Sequence, residues 1–169
     1  MGCWRVVEGN AVLRTVGGEA GAGISSLDKN SGKLLWKTLD EEASYSSPVM
    51  AKLHGKGRAV FFTRTGLAVV DPANGKIDFQ NRWRARIQAS VNAAAPLVVG
   101  ELIFVTSSYN TGALVVKAAA DGYKAAWSHD TSLPSLAASV LLRRGFIYAT
   151  HGRAHVPPDP PCASRPSAP

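Results

Sequence analysis

An all-β chain of radially arranged four-stranded antiparallel sheets is predicted by three features of the 169-residue sequence. A turn motif repeats, a second landmark repeats in step with it, and no window carries an apolar stripe at helical spacing. The turn motif is first met in "SLDKNSGKLLWKT", residues 26–38. Asp28 can accept from backbone N–H groups two or three residues on, and Gly32 can take positive φ. Asp-Lys-Asn-Ser-Gly-Lys therefore reads as a hairpin connection with a bulge, not as a helical turn. One hairpin is marginal in water, and the sequence supplies more. In "VDPANGKIDFQ", from Val70, Asp71, Gly75, Lys76 and Phe79 take the places of Asp28, Gly32, Lys33 and Trp36 at a constant offset of 43 residues. A worn third copy, "AADGYKAAWSHD" from Ala119, puts Gly122 another 47 residues on, with Trp127 slipped by one place relative to its glycine.

The second landmark is "SSPVMA" at Ser46, "AAPLVVG" at Ala94 and "ASVLLRRG" at Ala138. Pro96 follows Pro48 by 48 residues and Ser139 follows Pro96 by 43. A strand-rich period of this size is that of β-propeller blades. Between the landmarks, residues 59–63, 67–70, 102–106, 114–116 and 146–150 are short runs rich in Val, Ile and aromatics. Turns at Gly66, Gly100, Gly112 and Gly145 separate them. Residues 46–80 make one blade and 93–128 another, with three strands of an earlier blade before them and two of a later one after. The expectation is a partial β-propeller of two full and two partial blades. It divides into an irregular N-terminus (1–11), the repeat segment (12–150) and a Pro-rich disordered tail (151–169).

The Asp-x-x-x-Gly-Lys-x-x-Trp pattern of residues 28–36, echoed at 71–79, resembles the repeat of the PQQ-like (quinoprotein-type) β-propeller family, over residues 12–150. That family includes quinone-dependent alcohol and sugar dehydrogenases, a bacterial outer-membrane assembly scaffold, and many extracytoplasmic proteins of no assigned activity. Fold does not settle which of these applies. The resemblance implies a periplasmic or extracellular location. In the quinone dehydrogenases that this repeat resembles, carboxylate and amide ligands hold a calcium-bound quinone, often beside adjacent cysteines. Here Cys3 and Cys162 lie at opposite ends of the sequence, and Asp28 and Asp71 read as turn caps. No cofactor is therefore expected of this chain; PQQ and calcium are compatible with the resemblance only in a complete parent protein.

With 46% hydrophobic and 18% charged residues the chain can bury a core. A closed ring of four to eight blades at about 40 residues each needs more than two full blades. The segment would thus have unpaired edges that invite self-association, or that meet the remaining blades or a protein partner. Six of the ten prolines fall in the last nineteen residues, where no ladder should continue. A truncated or frame-shifted longer gene is an account of that tail's origin. "PPDPP" does not have the charged flanks of a usual partner motif. The N-terminus shows no secretory signal, and no window approaches a membrane span. Val6 stands where N-terminal acylation expects Ser or Thr. The net charge of +7 is scattered over turns, apart from "RWRAR" at 82–86, and no nucleic-acid-binding module is spelled out, so no nucleic-acid partner is expected. His151 and His155 have no second ligand pair, and no nucleophile elbow frames a serine.

Trp36 and Trp127 end a blade motif, where an aromatic can wedge against the next blade. Trp83 lies in a passage that crosses from one blade's outer strand to the next blade's inner strand. Three such passages, "YSSP" at 45–48, "SVNAAAP" at 90–96 and "LAASV" at 136–140, should converge on one face near the axis. The second is preceded by Arg84 and Arg86 and contains Asn92. Guanidinium forks beside an amide suit an anionic or carbonyl-rich ligand, which makes Arg84, Arg86 and Asn92 the candidate binding residues. The other reading of the same residues is that Asn92 ties backbone between blades and the arginines lie in solvent. The functional expectation is a non-catalytic propeller module for binding or scaffolding. The alternative is part of a quinone-dependent dehydrogenase.

Overall fold

The computed structural model describes residues 5–18, 21–85, 87, 90–130, 140–149 and 163–164. These residues form strands and turns, and no helix among them is long and apolar enough to cross a membrane. The first sheet pairs β1 (Arg5–Glu8), β2 (Ala11–Thr15), β3 (Ile24–Asp28) and β4 (Leu34–Thr38) in chain order. The second pairs β5 (Val49–Leu53), β6 (Lys56–Phe62), β7 (Gly66–Val70) and β8 (Ile77–Arg82). The third pairs β9 (Leu97–Val99), β10 (Leu102–Ser107), β11 (Gly112–Ala119) and β12 (Gly122–His129). The fourth has β13 (Leu141–Arg143), β14 (Phe146–Tyr148) and β15 (Ala163–Ser164). All neighbours are antiparallel. β1 adjoins β5 and β5 adjoins β9, while β8 adjoins β12. First strands thus gather on one side and last strands on the other, as blades do about an axis.

The strand count differs from expectation at both ends. Residues 5–8, expected to be irregular, form β1: pairing Val6 with Leu13 lets Val6 pack on the core between the first two sheets. In the Pro-rich segment, Ala163 and Ser164 pair with Tyr148 and Ile147. They fall in the gap between Pro161 and Pro166, where no missing N–H interrupts a ladder. The expected disorder of the rest of 151–169 lies outside the described residues.

The repeated turn motif closes the same way twice. Asp28 Oδ1 accepts from the backbone N of Asn30 (3.1 Å) and of Ser31 (2.7 Å), and from the Ser31 hydroxyl. These bonds, the Ser31 amide foremost, hold the Asp28 carboxyl below its ordinary pKa. Asp71 Oδ1 accepts likewise from Ala73 N. In both turns the glycine N–H donates to the aspartate carbonyl at 2.9 Å, and Gly32 and Gly75 sit at φ of 70° and 76°. Only glycine adopts that region without strain.

A β-bulge recurs just after the residue that faces each aromatic: Ser26 opposite Trp36, Val69 opposite Phe79, Val115 opposite Trp127. The one-place slip of Trp127 is therefore resolved in the ladder. In the third sheet Ala119 pairs with Gly122, so the turn shrinks to two residues and the glycine moves into the strand.

The core lies between sheets. Alternation along β6 and β7 sends Ala59, Phe61, Ala68 and Val70 to Leu13 and Ile24 of the first sheet. Val60, Phe62, Leu67 and Val69 point the other way, to Ile103, Val105, Leu114 and Val116 of the third. Strands buried on both faces read as unbroken apolar runs, hence "AVFF" and "LAVV". Each large side chain so enclosed stabilises the fold by about 1.5–3 kcal/mol relative to exposure. A third cluster joins Phe104, Ala113 and Val115 to Val140, Ile147 and Ala149.

The aromatics act as expected of wedges. Trp36 packs on the core shared with the second sheet, and its Nε1 donates to the Pro72 carbonyl at 3.0 Å. Phe79 stacks on Tyr123 of the third sheet, with ring centroids 5.3 Å apart. Trp127 packs on the cluster shared with Val140 and Ile147.

Candidate functional site

The passages between sheets carry a dense set of buried polar groups. Ser44, Ser46, Ser90 and Asn92 are buried there, with Thr15, Thr63 and Ser107 buried at strand ends beside them. A buried donor or acceptor without a partner costs about 1–3 kcal/mol, so their bonds define what the face can do.

Asn92 is 1% exposed, and its carboxamide is saturated within the protein. Nδ2 donates to the Thr63 carbonyl at 2.8 Å and to the Trp83 carbonyl at 3.0 Å, while Oδ1 accepts from the Ser107 hydroxyl at 3.0 Å. These three bonds tie the end of β6, the passage after β8 and the end of β10 to one amide. The Ser44 Oγ lies 2.8 Å from both the Phe62 and Asn92 carbonyls, which share its single proton. Ser46 Oγ donates to the Ala94 carbonyl at 2.9 Å, and Thr15 Oγ1 to the Ser44 carbonyl. The passages are stitched to each other across the sheets.

Arg84 is half-buried in the same passage, with Nε 3.5 Å from the Ser90 hydroxyl. Arg86 lies outside the described residues, as do 136–139 of the third passage. Trp83 turns its indole N–H to the Gly112 carbonyl of the third sheet, 3.2 Å away, and packs on the core there. The structure thus brings Arg84 and Asn92 into one passage and gives the Asn92 amide wholly to backbone and Ser107.

Sequence reasoning passed over Ser44 and Glu41. Ser44 stands 48 residues before Asn92, the spacing that also separates Pro48 from Pro96. The landmark offset could have paired the two. Glu41 accepts from the Thr65 amide and hydroxyl and from the Gln80 amide, tying the first passage to the second sheet. No local motif announces that role. Among the described residues, no group of three or more His, Cys, Asp or Glu side chains is placed to hold a metal ion.

The pattern of blades, motif turns and stitched passages has a match among known families. The sequence profile described as outer membrane protein assembly factor BamB, a PQQ-like repeat family, aligns with residues 20–156. The chain belongs to that family. No curated protein matches it individually. The aligned residues of this BamB-family chain begin before β3 and run beyond β14, so they take in the whole second and third sheets.

Proposed function

We propose that this BamB-family chain is a non-catalytic propeller module that binds or scaffolds protein. One observation carries the reading: the buried polar side chains of the passages bond to one another's backbone, so they serve cohesion between blades. A rigid set of blades with broad outer surfaces suits a protein partner, or further blades of the same repeat. The family's description as an assembly factor supports that direction. On this reading the chain needs neither PQQ nor calcium, does not act on nucleic acid, and works in the periplasm or outside the cell.

The test is a dye-linked assay of the purified chain with added PQQ and calcium, offered alcohols and sugars. No turnover above a protein-free control is expected. Saturable turnover would overturn the proposal in favour of a quinone-dependent dehydrogenase segment.

A further inference from the structure

Every sheet meets its neighbours through two unlike faces. The ladders, aligned on their β-bulges and hairpin turns, give Leu13, Val60, Phe104 and Tyr148 equivalent places in the four sheets. The next residue along, Arg14, Phe61, Val105 or Ala149, turns to the opposite side. Three times the first residue in one sheet shares a core with the second in the following sheet: Leu13 with Phe61, Val60 with Val105, and Phe104 with Ala149. Two residues of the series are left over. Tyr148 is on the outward side of the fourth sheet, and Arg14 is on the outward side of the first.

Both outward sides hold apolar residues at places that the inner sheets bury. On the first sheet Val12 pairs with Leu27 and both are only half-buried. Their counterparts, Ala59 with Val70 and Ile103 with Val116, are fully buried. Val7 beside them is 55% exposed, while its counterpart Val98 packs on a core. On the fourth sheet Leu141 is 69% exposed, while its counterpart Leu97 packs on a core. The cations of the two sides are at opposite ends. Arg5, Arg14 and Lys37 form a row with Ser25 at the end where the passages run, whereas Arg143 and Arg144 lie at the β13–β14 turn. The Arg14 Nε is buried with no hydrogen-bond partner among the described residues.

We propose that the fourth sheet of one copy packs on the first sheet of a second copy, through the contact that the chain already makes three times. Continuing the series sets the Tyr148 ring against the Arg14 guanidinium, an aromatic face on a cation. It sets Leu141 against Val12, as Val6 shares a core with Ala59 and Leu97 with Ile147. It also keeps the two sets of cations apart. Such a joint is heterologous, since it uses different faces of the two copies. Two copies of four sheets joined at both places make eight, within the range of closed propellers. The inference goes beyond the binding-module reading and does not depend on it.

Val7→Lys and Leu141→Lys each spoil one face at a residue more than half exposed, and circular dichroism checks that both variants are folded. Ile87→Lys makes the same change of charge at an exposed residue of the passage after β8 and serves as the control. In sedimentation velocity, either face variant should show a dissociation constant about tenfold or more above that of the unmodified chain, and the control a change of less than about twofold. An equimolar mixture of the two face variants should regain pairs that neither forms alone. The fourth sheet of the Val7→Lys copy is intact, and so is the first sheet of the Leu141→Lys copy. First sheets that pair with each other would leave Leu141→Lys indifferent and Val7→Lys beyond rescue, which overturns the proposal. So does a mixture no more associated than its components, or an unmodified chain that stays monomeric and leaves these faces to another protein. The two readings fail separately: turnover with PQQ and calcium would remove the non-catalytic module and leave this docking standing.

Discussion

Gly32 and Gly75 occupy the same place in two copies of one turn, with the same sign of φ, but different surroundings. A Cβ added at Gly32 meets nothing within 4 Å, whereas one at Gly75 would come within 2.5 Å of the Trp36 ring. Gly32→Ala should therefore cost only the backbone strain, about 1 kcal/mol. Gly75→Ala adds displacement of the wedge and should cost about 3 kcal/mol in total. Urea unfolding of the two variants checks this, and equal costs would mean that Trp36 does not bear on the turn. The repeat makes a second comparison possible. Ser26 is fully buried with no hydrogen-bond partner among the described residues, and the repeat-equivalent residues, Val69 and Val115, are apolar. Ser26→Ala removes an unsatisfied hydroxyl and should raise stability by about 1 kcal/mol, measured in the same way.

At the scale of strands, burial sets the order of opening. β6, β7, β10 and β11 are enclosed by a sheet on each side, whereas β4, β8, β12 and β13 carry mostly exposed or half-buried residues. Hydrogen–deuterium exchange should find amides of the first four slowest and those of β13 fastest; uniform protection would contradict packing by successive sheets. These central strands were also the most legible in the sequence, because a strand buried on both faces is a plain apolar run between glycines. The motif turns were legible too, since Asp28, Gly32 and their counterparts each have a local reason to be there. β1 was not: "RVVE" carries one core-facing residue, Val6, and its partner strand decides its role. β15 was hidden by the prolines around it. For the passages, sequence located Asn92 but could not assign its bonds, because its partners Thr63, Trp83 and Ser107 come from three separate parts of the chain.

For the whole molecule, the outward sides of the first and fourth sheets expose large apolar side chains among basic ones. Strand alternation turns Val7 and Leu35 away from the face that Val6 and Trp36 pack, and both are more than half exposed. Leu141, 69% exposed, pairs with Tyr148 on the side opposite Ile147. Such patches favour association, so sedimentation velocity should show the weight-average mass rising with concentration over the micromolar range. A monomer at all concentrations would mean that these faces are too small or too basic to meet. The sheets are held to one another by shared apolar cores and by the buried polar groups of the passages, among which Asn92 ties three separate parts of the chain. Asn92→Ala removes three hydrogen bonds, two of them fully buried, and strands the Thr63 and Trp83 carbonyls. Denaturant unfolding of that variant should show a loss of about 3 kcal/mol. Unchanged stability would contradict cohesion through Asn92 and return it to the face as a group for a ligand.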